Sequence, residues 1–182
     1  MKRKTSKEIL AESFREVAEN KNIDKITVKD ITDNCGYSPA TFYRQFCDKY
    51  DLIAWDYTRE LDNIMSGIDG TWPGWTNTLK TTAMFFEERK MYLTNLFLHT
   101  SGLEAFITYM QEINYRSLLD MIRRAEGEHS VDKMTEMCIR MYVLGTVQFT
   151  SEWILGKVDA TAEELGMVYV QTLPESLRKY MH

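Results

Sequence analysis

The stretch Thr27–Lys49, with the sequence TVKDITDNCGYSPATFYRQFCDK, decides the fold of this 182-residue chain. Val28 and Ile31 begin an apolar face at helical spacing and predict a short helix. Thr27 precedes them where an N-cap belongs. Gly36 stands where that helix must end and the chain must turn with a positive φ. The pattern therefore predicts two short helices joined by a tight turn.

The second helix is predicted to run from Pro39 to about Phe46. Ser38 is its expected N-cap, and Pro39 occupies the first turn, where a missing N–H group costs nothing. Phe42 and Phe46 are four residues apart and share one face. We expect these two rings to point inward and to support the helix from below.

The opposite face of the second helix carries small, polar and cationic side chains that suit the DNA major groove. Arg44 can donate to guanine or phosphate, Gln45 can pair with adenine, and the Thr41 methyl group can contact thymine. Tyr43 is expected to donate to a phosphate. Ala40 lets the backbone approach the groove closely. This face predicts sequence-specific DNA binding.

Further candidate DNA contacts flank the second helix. Lys49 begins the next helix, with Asp48 as its cap, and is expected to face a phosphate. The basic residues 2–4 either reach an adjacent minor groove or form a solvated terminus. The predicted DNA-contacting residues are Thr27, Lys29, Ser38, Pro39, Ala40, Thr41, Tyr43, Arg44, Gln45 and Lys49.

Residues 5–60, and most specifically the segment GYSPATFYRQFCDKYDL, resemble the DNA-binding domain of the TetR family of bacterial transcription regulators. Two positions depart from the family pattern: Thr32 stands where alanine is frequent, and Gln45 where histidine is common. The resemblance implies a homodimer that binds a double-stranded, near-palindromic operator. It also implies control by an effector in the C-terminal domain, with repression as the family default.

The whole chain is expected to be all-α, with two domains. Residues 1–48 form a three-helix helix-turn-helix DNA-binding domain, and a connecting helix covers 48–66. Residues 67–182 form a helical regulatory, effector-binding and dimerisation domain. A cluster of Gly and Pro at 67–74 marks the joint.

The net charge of −5 is unevenly distributed. Residues 1–50 hold 10 Lys and Arg against 8 Asp and Glu, a net +2, so the remainder carries −7. Because DNA affinity depends on local phosphate contacts, the acidic total does not oppose a DNA-binding head. The small excess favours a dimer that combines the contacts of two heads.

Targeting signals are not evident in the sequence. The N-terminus MKRKTSKE is charged but precedes no apolar segment of a signal peptide, and no run of 18 apolar residues is present. The three cysteines lack metal-site spacing and favour buried thiols in a reducing compartment. We expect a cytoplasmic protein without a membrane span.

The segment 131–155 is apolar over most of its circumference and must contact more than one partner. Gly145 would let another helix approach closely. The expected arrangement is a four-helix bundle between two subunits, where TetR-like proteins usually dimerise, and the alternative is packing within a monomer. The predicted dimer contacts are Met134, Cys138, Met141, Gly145, Leu165, Tyr169 and Leu173.

An effector pocket in the C-terminal helices is implied by the family resemblance. Such pockets are mostly apolar with a few polar anchors, whereas the same residue types also serve as plain core. His99 is the candidate anchor, or a structural histidine. The predicted lining residues are Phe85, Tyr92, Phe97, His99, Phe106, Tyr109, Met110, Tyr142, Phe149 and Trp153.

The C-terminal segment GTVQFTSEWILGKVDATAEELGMVYVQTLPESLRKYM resembles, more loosely, TetR-type activators of dihydroxyacetone kinase operons. In that subgroup the regulatory domain is similar to one that binds a kinase-like protein. The resemblance leaves open a protein effector and activation.

The sequence provides little basis for catalysis. Adjacent carboxylates such as Glu87 and Glu88 point apart on a helix. The sequence shows no Ser/His/Asp set, phosphate-binding glycine loop or metal spacing, and we expect no enzyme, cofactor or metal. A TetR-like interaction protein without DNA binding is a further alternative, which the intact outer face of the second helix argues against.

Overall fold

The computed structural model describes residues 3–68, 70–99, 103–126 and 131–180. The regular structure of these residues is helical, without a β-strand, as the sequence predicts. The helices are α1 (Ser6–Ala18), α2 (Val28–Cys35), α3 (Pro39–Tyr43), α4 (Lys49–Met65), α5 (Trp72–Glu88), α6 (Lys90–His99), α7 (Leu103–Glu126), α8 (Lys133–Ile154), α9 (Ala162–Gln171) and α10 (Glu175–Arg178). A 3₁₀ turn, Ile23–Lys25, lies between α1 and α2.

The chain divides into two compact units. Unit 1 comprises Met1–Glu60 and Met91–Leu103, and unit 2 comprises Leu61–Lys90 and Glu104–His182. Most of α6 therefore packs with the N-terminal helices. This division by contacts does not follow the functional boundaries expected at residues 48 and 67, which stay a prediction.

Unit 1 is built around an apolar core to which each of its first four helices contributes. Leu10 and Phe14 of α1, Ile31 of α2, Phe42 of α3 and Leu52 of α4 are completely buried. Helix α1 packs on α2, and α2 packs on α3. The short α2 and α3 thus depend on this shared core for their stability, since isolated helices of this length are marginal in water.

Charged side chains join α1 to α4 within unit 1. Arg15 of α1 forms an ion pair with Asp56, whose side chain is almost fully buried. Arg59 also contacts Asp56, at 3.3 Å, and reaches Glu8 of α1 at 3.2 Å. Removing one partner would leave a poorly solvated charge, so this cluster fixes the pairing of α1 with α4.

Unit 2 is held by a close packing of α5 against α9. Two polar bonds fix buried aromatic rings of the same unit. The hydroxyl group of Tyr142 in α8 donates to the backbone carbonyl of Tyr169 in α9 at 2.8 Å. The indole N–H group of Trp153 donates to the carbonyl of Ala160 at 2.6 Å.

The end of one short helix differs from the sequence expectation. Helix α3 ends at Tyr43 rather than near residue 46. Asp132 caps α8, with its carboxylate accepting from the N–H group of Thr135 at 2.9 Å.

Among the described residues, no helix is both long enough and apolar enough to cross a lipid bilayer.

Candidate nucleic-acid interface

The turn between α2 and α3 has the geometry that its sequence predicts. Thr27 and Asp30 form a reciprocal capping box at the N-terminus of α2. Gly36 ends that helix in the left-handed conformation, with φ +71°. Ser38 then caps α3 by accepting from the N–H group of Thr41 at 3.3 Å, and Pro39 occupies the first turn. These local bonds set the direction in which α3 leaves α2.

Helix α3 lies on a cluster of aromatic rings. Phe42 and Phe46 are buried, with ring centroids 5.7 Å apart. The ring of Phe46 also meets Trp55 of α4, at 5.6 Å. Although the helix itself ends at Tyr43, the N–H groups of Gln45 and Phe46 still bond to the carbonyl of Phe42, at 2.8 and 2.9 Å. The inward pair predicted from the sequence is thus present.

The opposite face of α3 is open to solvent. Pro39, Ala40, Tyr43 and Arg44 are exposed, and Tyr43 keeps 60% of its surface. Gln45 is half-buried. A short helix with this surface presents one tyrosine hydroxyl, one guanidinium group and a small-residue N-terminal end to any partner that can accept them.

The exposed polar groups of α3 are partly ordered by one another. The Nη2 atom of Arg44 donates to the hydroxyl oxygen of Thr41 at 3.1 Å. That hydroxyl group also lies 3.2 Å from the hydroxyl oxygen of Ser38. Since Thr41 is a neutral partner and Arg44 itself is exposed, the guanidinium group stays available to a stronger acceptor such as a phosphate or a guanine.

The candidate contacts on α2 are also exposed. Thr27 stands at the helix N-terminus, where backbone N–H groups favour anions. Lys29 extends into solvent and forms an ion pair with Asp33, which raises the pKa of the lysine. Both side chains of that pair remain largely exposed. The Lys29 ammonium group is therefore partly neutralised but reachable.

Lys49 is placed differently from the sequence expectation. Its ammonium group donates to the backbone carbonyls of Ile23, Asp24 and Ile26, at 2.7, 2.9 and 2.9 Å. Burial lowers the pKa of this lysine. Three carbonyl partners occupy the three N–H groups of the ammonium. The geometry thus assigns Lys49 to the protein's own backbone, and it does not support the predicted phosphate contact.

The basic N-terminal arm is only partly free in the described residues. Lys2 lies outside them, whereas Lys4 pairs with Glu12 of α1 at 2.7 Å. Sequence reasoning missed Lys7, whose ammonium group stands 5.2 Å from the ring centre of Phe46 and 5.5 Å from that of Trp55. The side chain of Lys7 is thereby held beside the aromatic cluster that supports α3.

The predicted effector-pocket residues do not gather in one unit. Tyr92, Phe97 and His99 belong to unit 1, where the ring of Tyr92 meets Phe14 edge-on at 6.1 Å and Phe97 is buried. The other seven belong to unit 2. Of these, Trp153 is fully buried and accepts a cation–π contact from Lys90 at 4.1 Å. That these ten residues form one effector site stays a prediction.

Unit 2 contains an apolar cavity of about 590 Å³ between α8 and α9. Two of the predicted effector-pocket residues, Tyr142 and Phe149, line it. The remaining lining residues are Cys138, Met141, Gly145, Thr146, Val168, Tyr169, Thr172 and Pro174. Since Cys138, Met141, Gly145 and Tyr169 also belong to the predicted dimer contacts, the cavity opens within the surface expected to meet a second subunit.

The predicted dimer contacts fall into two groups. Met134 and Met141 are 66% and 75% exposed, and Gly145 is exposed as well. By contrast, Leu165, Tyr169 and Leu173 are buried inside the protomer, and their part in a dimer interface stays a prediction. Their side chains face the protomer's own helices. Apolar spacing predicts that a helix face is buried, but it does not identify the surface that covers that face.

The exposed residues of α8 extend the predicted set. Met137 and Leu144 are exposed beside Met134 and Met141, so the four apolar side chains follow the spacing 134, 137, 141 and 144. This 3-4-3 spacing places them on one stripe of the helix, as in the seam of a coiled coil. In the described residues, no three metal-ligating side chains come together.

Residues 9–54 match the family described as "Bacterial regulatory proteins, tetR family". The chain is 21% identical over 117 residues to the HTH-type dhaKLM operon transcriptional activator DhaS of Lactococcus lactis subsp. lactis (strain IL1403). That match covers 64% of this chain and 60% of the relative, which is less than two thirds of the relative's length.

Two solved structures share the fold. The dihydroxyacetone kinase operon activator DhaS has a TM-score of 0.65 at 17% identity, with 96% of this chain and 95% of that chain covered. A TetR transcriptional regulator from Rhodococcus sp. RHA1 has a TM-score of 0.62 at 17% identity, with 96% and 97% covered. Residues 9–54 thus match a TetR-type helix-turn-helix domain, and the chain as a whole shares its all-helical fold with these two structures.

Proposed function

We propose that this protein is a homodimeric, sequence-specific DNA-binding regulator of transcription. The observation that carries the proposal is the surface of α3, which is solvent-exposed at Ala40, Tyr43 and Arg44 and supported from within by Phe42 and Phe46. A short rigid helix with such a face fits the major groove, which is wide enough to admit one helix.

The contacts on DNA follow from the chemistry of the exposed groups. Arg44 donates to a guanine or a phosphate, and Gln45 reads an adenine edge. The hydroxyl group of Tyr43 donates to a phosphate. Thr27 and the N-terminus of α2 bind another phosphate of the DNA backbone, and Lys29 assists them. Base contacts give the sequence preference, and phosphate contacts give most of the affinity.

A second copy of the chain covers the apolar stripe of α8. Met134, Met137, Met141 and Leu144 are all exposed, and together they form a continuous apolar stripe on α8. Contiguous apolar surface of this kind marks an interaction site, whereas exposed apolar residues scattered singly do not. Apart from the adjoining backbone of α8, no atom of the described residues lies within 4 Å of the position that a Cβ would take at Gly145. Gly145 therefore leaves room for a partner helix to approach, and the unbranched methionines can adapt to a facing copy.

Dimerisation is also needed to reach useful affinity. With a net charge of +2 in residues 1–50, one head neutralises few phosphates. Two heads on a near-palindromic operator combine their contacts, with half-sites spaced by about one helical turn, about 34–36 Å. Such a regulator acts on the chromosome, so we place it in the cytoplasm.

An effector bound to unit 2 is proposed to control DNA binding, through its difference in affinity between two arrangements of the dimer. Repression is the family default. A second candidate is activation of a dihydroxyacetone-kinase-type operon with a protein as effector. The observation that favours it is that proteins named DhaS appear among the sequence relatives and the structural neighbours.

Selection of duplexes from a randomised DNA library by the wild-type protein tests the DNA-binding proposal. We expect enrichment of a near-palindromic sequence, bound as a dimer in a gel shift and weakened steeply by added salt. A library that stays random after repeated rounds, with the protein folded and dimeric, would support the alternative of an interaction protein without DNA binding.

A further inference from the structure

The connector between α1 and α2, residues 19–26, is held by a side chain from a distant helix. The amide nitrogen of Asn95 in α6 donates to the carbonyls of Ala18 and Lys21, at 2.6 and 2.9 Å. Its amide oxygen accepts from the N–H group of Ile23 at 3.2 Å. Both N–H groups and the oxygen of the amide are thus used, which fixes the orientation of the side chain.

The three backbone groups bonded by Asn95 are ones that the helices leave unpaired. The carbonyl of Ala18 belongs to the last turn of α1, and the N–H group of Ile23 opens the 3₁₀ turn. Groups at these positions have no partner inside their own helix. Asn22, at the N-cap of the 3₁₀ turn, makes no side-chain capping bond. Asn95 therefore acts as a cap for both segments.

Lys49 of α4 holds the connector through different atoms. Its ammonium group binds the carbonyls of Ile23, Asp24 and Ile26. With Asn95 bonded to Ala18 O, Lys21 O and Ile23 N, the connector backbone is fixed by two side chains that come from α4 and α6. The connector, whose regular structure is a single 3₁₀ turn, is thus held by side chains from two helices.

The connector leads directly into the N-terminus of α2. The ammonium group of Lys21, whose carbonyl Asn95 binds, donates to the carboxylate of Asp30 at 2.7 Å. The same carboxylate oxygen accepts from the N–H and hydroxyl groups of Thr27, each at 2.7 Å. A series of bonds thus joins Asn95 to Lys21, Asp30 and Thr27, where a DNA phosphate is expected.

We propose that Asn95 is a positioning residue for DNA binding, which sets the N-terminus of α2 by fixing the connector and does not itself contact DNA. The inference rests on the proposed function. Without the Asn95 amide, the connector loses three bonds, and Lys21 is held less firmly in the position from which it binds Asp30, the capping partner of Thr27. The N-terminus of α2 must then be ordered when DNA binds, and the lost conformational entropy weakens the phosphate contact.

The test compares wild type with Asn95→Ala on a duplex that the wild type selects from a randomised library. We expect about tenfold weaker binding. We also expect a plot of log affinity against log salt concentration that is shallower by about 0.9 for each phosphate that the variant no longer neutralises. Asn95→Ser, whose shorter side chain carries one hydroxyl group that can replace part of the amide's bonding, should bind with an affinity between those of wild type and Asn95→Ala. Circular dichroism at the assay temperature verifies that each variant is folded.

Leu98→Ala is the matched control, because Leu98 lies on the same helix and is exposed; its affinity and salt dependence should equal those of wild type. A purely structural role for Asn95 would lower the melting temperature and leave both DNA readouts of the folded variant unchanged, which would overturn the inference. Unfolding of both Asn95 variants would also overturn it. If wild type selects no duplex, the proposed function fails first.

Discussion

Gly166 of α9 lies against the backbone of Lys80 in α5. A Cβ atom at Gly166 would stand 3.0 Å from the Cα atom of Lys80, closer than nearly all Cβ contacts in proteins, so the backbone at Lys80 would have to move by a few tenths of an ångström. We therefore expect Gly166→Ala to destabilise the protein, by about 1–3 kcal/mol as for other overpacked sites. Urea unfolding followed by circular dichroism measures the change.

A second substitution on the same helix, at an exposed position, is the control for introducing alanine into α9. Gln171→Ala, at an exposed position of α9, should leave the free energy of unfolding within about 0.5 kcal/mol of wild type. Equal stability of Gly166→Ala and wild type would mean that α5 and α9 are not packed as closely as the structure shows.

The exposed stripe of α8 predicts how dimerisation responds to substitution. Met141→Lys places a charge where a second subunit is proposed to pack, and Gly145→Leu fills the space left for its helix. Because both sites are open in the protomer, each variant should keep its helix content and shift towards monomer in sedimentation velocity.

Met84→Lys is the control for the added charge, since Met84 is an exposed methionine of α5 outside the α8 stripe. It should sediment like wild type. A Met141→Lys protein that stays dimeric at micromolar concentration would remove the α8 stripe from the dimer interface.

Arg44→Ala tests the proposed reading surface of α3. The guanidinium group is exposed, with one exposed hydroxyl partner in the described structure, so its loss should affect DNA binding far more than folding. We expect a cost of about 1–3 kcal/mol on the selected duplex and relaxed preference at one base pair. Titrations by fluorescence anisotropy measure both effects.

Lys157→Ala removes one positive charge from an exposed site of unit 2 and provides the control for net charge. Its affinity should match wild type at the same salt concentration. Loss of affinity in Lys157→Ala as large as in Arg44→Ala would point to a nonspecific charge effect and remove Arg44 from the base-reading surface.

The turn between α2 and α3 was predictable because its determinants are local. Thr27, Gly36 and Ser38 each act within five residues, by capping or by a positive φ, and all three have the predicted geometry. The spacing of Phe42 and Phe46 likewise identifies the buried side of α3, since one helix face is enough to define it.

What sequence reasoning missed depends on partners distant along the chain. The bonds of Asn95 span 72 to 77 residues, and those of Lys49 span 23 to 26. No local pattern marks either side chain. The burial of Leu165 and Tyr169 within the protomer was missed for a related reason: periodicity shows that a face is apolar, while the covering surface depends on tertiary packing.

Lys49→Ala is expected to act on stability. The substitution removes the donor for three backbone carbonyls in the connector, and hydrogen bonds to charged groups contribute about 1.5–3 kcal/mol. The melting temperature should therefore fall. Because the ammonium group faces backbone, the slope of log affinity against log salt should equal that of wild type for the folded variant.

Lys29→Ala gives the contrasting behaviour. Its ammonium group is exposed and pairs only with a surface carboxylate among the contacts described, so stability should change little. A phosphate contact at this site predicts a shallower salt slope, by about 0.9 for each subunit. A shallower slope for Lys49→Ala instead would restore the phosphate contact that its sequence position indicates.

Acid should weaken the capping box of α2. Bonds from Lys21 and then from Thr27 hold the pKa of Asp30 well below its usual range. Because the folded-state pKa lies below the unfolded value of about 3.9, the contribution of Asp30 is fully present above that value. This stabilising contribution is lost as the pH falls through the unfolded-state pKa towards the folded-state pKa. Urea unfolding at several pH values measures this loss.

Asp30→Asn should therefore be less stable than wild type near neutral pH, and the difference should shrink below about pH 4. Lys21→Met removes the largest cause of the depressed pKa and should narrow the same difference, because the carboxylate then keeps only the Thr27 bonds. If the gap between wild type and Asp30→Asn stayed constant from neutral to acid pH, the carboxylate charge would have no part in capping α2.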